Sequence, residues 1–122
     1  MANSSSNLEG RTTEFGKNII KLCRSVKFNA ITAKIIDQLV RAGTSIGANY
    51  MEAINASSKR DFKNKIFICK KESQETKYWL AMLSECGSEE KDEITCLSQE
   101  CHEFNLIFQK IITTMESNEI DK

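Results

Sequence analysis

The 122-residue chain contains no proline and only five glycines. Proline ends helices and punctuates turns, so its absence argues against a many-turned β architecture and suits long, uninterrupted helices. No apolar run approaches the ~18 residues of a membrane span, so no membrane partner is expected. Net charge is also missing, with 17 basic groups against 17 acidic ones. That balance argues against a chain held to nucleic acid by overall charge alone. Histidine occurs once, as His102. The five cysteines, at 23, 69, 86, 96 and 101, match no zinc spacing. They suit free thiols in a reducing cytoplasm. The opening MANSSSN is polar and has none of the apolar core of a signal peptide.

What the chain does have is apolar residues at helical spacing. Phe15, Ile19, Leu22 and Val26 step by four, three and four, which predicts a first helix capped at Thr12 or Thr13. Asn29 is a candidate N-cap for a second helix running to about Ala56, with Ile31, Ile35, Leu39, Ala42, Ile46, Tyr50 and Ala53 on one stripe. Ser58 and Asp61 approximate a capping box for a third helix. Its stripe is Phe62, Ile66, Cys69, Thr76, Leu80 and Leu83, and Gly87 suits a left-handed C′ position at its end. A fourth helix follows Ser88, carrying Ile94, Leu97, Cys101, Phe104, Phe108, Ile111 and Met115. Four helices with short connections predict an all-α, antiparallel up-down-up-down four-helix bundle over residues 11–117. A disordered tail is expected at 1–10 and a frayed one at 118–122. The first helix is the shortest, so part of the core beside the other three is expected to lie open or to be covered by the N-terminal tail or a loop.

Chemistry is sparse. Glu52, Glu72 and Glu75 look like the beginning of a carboxylate metal site, but a ferritin-like site needs two Glu-x-x-His motifs. The single histidine also leaves a cysteine nucleophile without a base. No catalytic residue, metal or cofactor is expected, and the chain reads as no enzyme. Charge is uneven along the sequence: residues 1–86 carry 14 basic and 8 acidic groups, residues 87–122 carry 3 and 9. Opposite faces that pair within or between subunits would explain this, and so would an anion-binding basic face. Lys17, Lys21 and Arg24 form one basic stripe; Lys59, Lys63, Lys70 and Lys77 form another, at spacings that would suit RNA or DNA phosphates. Tyr78 and Trp79 beside the second stripe suit either base stacking or interface anchoring.

Gly43 and Gly47 lie four apart on one side of the second helix, where each costs ~1 kcal/mol relative to alanine. Small residues at that spacing let another helix come close, either inside the bundle or from a neighbouring subunit. Folding the second helix back on the third at Ser57–Ser58 brings residues whose numbers sum to about 115 level. Arg41 should then pair with Glu75 or Glu72, and Glu52 with Lys63.

The stretch QLVRAGTSIGANYMEA, followed by SSKRDFKNKIFICKKESQETKYWLAML, resembles the bacterial family encoded by intervening sequences within 23S ribosomal RNA genes. Arg41, Gly43, Ser45, Gly47, Asn49, Glu52, Asp61, Phe62, Lys65, Glu72, Glu75, Tyr78 and Trp79 are the positions that carry the likeness. The accessory variability determinant of diversity-generating retroelements is a more distant likeness. The resemblance implies a cytoplasmic, ring-forming four-helix bundle, a homopentamer, acting in assembly or scaffolding. The distant relative's basic surface implies an RNA- or DNA-binding alternative.

Overall fold

A computed structural model describes residues 7–87 and 89–120. Four helices account for nearly all of them: α1 (Leu8–Ser25), α2 (Ala30–Ile54), α3 (Lys59–Ser84) and α4 (Lys91–Ile120). They follow one another around a square, each antiparallel to the next, with α1 diagonal to α3 and α2 diagonal to α4. The α2–α3 seam is the most extensive and the α1–α4 seam the thinnest.

The connections are short because the caps are local. The Asn29 side chain accepts from the backbone N–H groups of Ile31 and Thr32, each at 2.9 Å. Thr32 Oγ1 returns the bond by accepting from the Asn29 N–H at 2.9 Å and donates to the Lys27 carbonyl at 2.8 Å. This reciprocal cap satisfies donors that the first turn of α2 would leave orphaned. Ser58 Oγ accepts from the Asp61 N–H at 3.0 Å and starts α3 the same way. Asp92 and Glu93 sit in the first turn of α4, where the helix dipole favours negative charge. Gly87 takes a φ of +69°, two residues past the α3 C-cap Glu85 and one place later than the sequence suggests.

The core follows the predicted stripes closely. Phe15, Ile19, Leu22, Leu39, Ile46, Ile66, Cys69, Leu80, Leu83, Ile94, Leu97, Cys101, Phe104 and Phe108 are all buried. Phe15 meets Phe104 edge to face at 5.3 Å, and Phe108 lies between Phe104 and Tyr50. The N-terminal boundary is a correction. α1 begins at Leu8, ahead of Thr12, because Leu8 is itself buried in the core cluster. Leu8–Gly10 are thus helical rather than tail, and 118–120 continue α4. Residues 1–6 and 121–122, the rest of the two expected tails, lie outside the described residues.

Two stripe residues were also misplaced. Ile31 is 68% exposed, with no helix of the described residues covering the first turn of α2 on that side. Ile112, not Ile111, is the buried isoleucine near the end of α4. Ile111 instead lines a hollow of about 510 Å³ together with Leu8, Tyr50, Ile107 and Met115. Among the described residues the hollow lies beside the start of α1, where α2 and α4 run alongside it.

Candidate interaction surfaces

The glycines of α2 face α1 of the same chain. A Cβ on Gly43 would stand 2.9 Å from Ile19 Cγ1 and 3.0 Å from Ile19 Cγ2. One on Gly47 would stand 3.2 Å from the backbone oxygen of Thr12. The close companion admitted by this notch is therefore α1, and the crossing lies within the bundle.

Five of the other residues that carry the family likeness, Arg41, Glu52, Lys65, Glu72 and Glu75, pair across the α2–α3 seam. Arg41 reaches Glu72 at 3.4 Å and also hydrogen-bonds Glu75, as the turn arithmetic predicts. The Glu72 side chain is only 10% exposed, and Arg41 is the cation paired with it. One turn towards the loop, Ser45 Oγ donates to the Arg41 carbonyl and Asn49 Nδ2 to the Ser45 carbonyl, at 2.6 and 2.8 Å. Glu52 pairs with Lys65 at 2.7 Å rather than with Lys63. Residues 63 and 65 point about 200° apart on a helix, and only Lys65 faces α2. Lys63 turns to α4 and meets Glu119 at 3.1 Å and Glu116 at 3.6 Å. The three glutamates considered for a metal site are thus each matched by a cation. Among the described residues no group of three potential metal ligands occurs. Asp61 and Phe62 are half-buried at the start of α3, below the Ser58 cap.

The thin α1–α4 seam is held by a cluster the sequence did not single out. Arg11 Nη2 lies 2.7 Å from Glu100 and 3.0 Å from Glu103, and its guanidinium carbon sits 5.1 Å over the Phe104 ring. The hydrogen bond to Glu100 is the largest influence raising the Arg11 pKa above its ordinary value. Extending the antiparallel arithmetic to the first and fourth helices would have exposed this pair. With the Lys63 pairs, it joins the basic and acidic halves of the chain inside one subunit.

Lys17, Lys21 and Arg24 lie exposed on the outer side of α1. On α3, Lys59 and Lys77 are exposed, Lys70 is half-buried and Lys63 is held by its glutamates. The two stripes belong to diagonal helices, so they do not merge into one face. His102 is exposed on α4.

Three thiols are core groups. Burial pushes Cys23 up to about 11 and Cys69 and Cys101 up to about 12. They stay protonated at neutral pH and are poor nucleophiles. Cys96 is exposed and Cys86 half-buried, and none of the five is in a disulfide.

The aromatic pair sits at the far end of the α2–α3 seam. Tyr78 is 55% exposed and packs edge to face on Trp79, with ring centres 5.0 Å apart. Trp79 forms a hollow of about 380 Å³ with Ile31, Ile35 and Met82. No helix of the described residues is long and apolar enough to cross a membrane.

Comparison with known proteins agrees with the resemblance. A crystal structure of a protein of unknown function from the S23 ribosomal protein family of Bacteroides thetaiotaomicron superimposes with a TM-score of 0.77 at 32% identity, covering 91% of this chain and 99% of that one. No curated protein matches the chain. The model of the 23S rRNA-intervening sequence protein family matches residues 8–110, so the chain belongs to that family.

Proposed function

We propose that this protein works by assembly rather than catalysis, as a ring-forming, cytoplasmic bundle that scaffolds its partners. The observation that carries the proposal is a contiguous apolar group left in water at one end of the α2–α3 seam, with Ile31 and Tyr78 more than half exposed beside Trp79. Contiguous exposed apolar surface marks interaction sites more often than isolated side chains do. Five free thiols fit a reducing compartment. Light scattering tests the reading. A discrete multiple of the chain mass, five by family resemblance, supports it, and a single-chain mass at high concentration refutes it.

A second reading, binding of RNA or DNA, is favoured by one observation. Lys17, Lys21 and Arg24 share the outer side of α1, and all three are exposed. Three phosphate contacts would give a slope of roughly −2 to −3 in log affinity against log salt. The test is a gel-shift series over salt concentration with single- and double-stranded RNA and DNA. The expected result is a shift that fades along that slope and is lost when all three residues become glutamine. No shift at low salt rules the reading out.

A further inference from the structure

We propose that the hollow between α2, α4 and the start of α1 binds the alkyl chain of a small anionic amphiphile, a medium-chain fatty acid, with Lys110 meeting its headgroup. The site belongs to the single subunit and does not depend on the assembly reading above.

The walls set the chemistry of the tail. Leu8, Tyr50, Ile107, Ile111 and Met115 line a hollow of about 510 Å³. Small-molecule sites are concave, mostly apolar and roughly 300–1,000 Å³ in volume, and this one falls within that range. Ile107, Ile111 and Met115 step by four along α4, and all three are half-buried. Ile107 and Ile111 pack against the core and also line the hollow, so the strip has a firm floor. From Ile107 to Met115 the helix rises about 12 Å, the length of a straight alkyl chain of about ten carbons.

The rim sets the charge of the head. Its polar members on α4 are Lys110 and Thr114, both exposed. Lys110 is the only lysine or arginine between residues 92 and 120, on a helix otherwise rich in acids. Arg11, Arg41, Lys63 and Lys65 each have a carboxylate partner. Lys110 makes no ion pair among the described residues, so the one cation at this mouth is left unmatched by the fold. The opposite wall carries negative charge. Burial is the main cause raising the Tyr50 pKa, and the charges of Cys69 and Glu9 add to it. A carboxylate is therefore repelled on the Tyr50 side and drawn to Lys110, where the Thr114 hydroxyl can donate a further hydrogen bond. A cationic amphiphile of the same length finds the same walls but no partner for its head.

The test is calorimetric titration of the full chain with decanoate and with decyltrimethylammonium, each below its micelle-forming concentration. Decanoate should bind once per chain and more tightly than the cation. Affinity should rise about fourfold per methylene from hexanoate to decanoate and then level off. Lys110→Glu should weaken decanoate binding about three- to tenfold while strengthening that of the cation. Ile111→Trp fills the hollow and should weaken both by at least about tenfold. Lys110→Glu replaces an exposed side chain and keeps the core intact, so it decides the point even if Ile111→Trp does not fold. Three results would overturn the proposal. Absence of decanoate binding means that the hollow is closed by another part of the chain or takes no amphiphile. Equal affinity for decanoate and the cation, unchanged by Lys110→Glu, removes the headgroup assignment. Decanoate binding that neither variant alters places the alkyl chain elsewhere on the protein.

Discussion

Replacing Gly43 by alanine sets two effects of similar size against each other. Helix propensity favours alanine by ~1 kcal/mol in a helix interior. Against this, the new Cβ would stand 2.9–3.0 Å from both γ carbons of Ile19, closer than atoms in contact allow. Ile19 is fully buried, so its branched carbons have nowhere to swing. The α1–α2 seam must therefore open, and overpacking of this kind costs about 1–3 kcal/mol. The net expectation is a loss of about 1 kcal/mol, or about 4 °C in melting temperature for a chain of this length. Gly16, on the facing helix, provides the control. A Cβ there would lie 3.7 Å from Thr44, an ordinary contact, so Gly16→Ala should keep the propensity gain. The same substitution on two sides of one seam should thus have opposite signs. Circular dichroism melts at matched protein concentration read both variants. If Gly43→Ala raises the melting temperature as Gly16→Ala does, close approach of the helices is not the reason for the glycine.

Two further predictions concern buried groups. Arg41→Met should leave the Glu72 carboxylate buried without its cation, at a cost of about 1–2 kcal/mol, discounted because Arg41 itself is half exposed; urea titration checks this, and the cost should largely disappear in the Arg41→Met, Glu72→Gln double variant. For Cys23, Cys69 and Cys101, burial holds the folded thiols protonated above their ordinary value of 9.0, so the unfolded chain loses those protons first. Their contribution to stability is therefore full below about pH 9 and falls as pH rises towards 11–12. Urea midpoints should drop as pH rises from about 9 towards 11, and native alkylation at about pH 8 should label Cys96 first while sparing the three core thiols until denaturant is added; rapid labelling of all five would contradict their burial.

The bundle was legible where one stripe meets one neighbour. The run from Ile94 to Phe108 gives the buried side of α4 because α3 flanks it continuously. The register of α2 against α3 followed from placing the turn at Ser57–Ser58, and the Arg41 pairs lie where it put them. Legibility ended where the decision belongs to a third helix. Ile111 and Ile112 both lie near the apolar arc of α4, and among the described residues Ile112 meets the core while Ile111 borders a hollow. Ile31 continues the α2 stripe at the correct step, but no described helix covers it, which periodicity within one helix cannot register. The start of α1 was missed because Asn7 makes no side-chain cap bond. Leu8, Thr12 and Phe15, spaced by four and three and all buried, were the available signal. Glu52 chose Lys65 over Lys63 through side-chain direction, which level-matching along the axis ignores.

We propose a closed assembly of this four-helix subunit as its working form. Small-angle X-ray scattering at moderate concentration tests it in one measurement, since it returns both mass and radius of gyration. A single compact chain of 122 residues has a radius of gyration of about 14 Å, and five chains in one particle exceed about 25 Å. Five chain masses and a radius above the larger figure are expected. One chain mass with a radius near the smaller figure would contradict it.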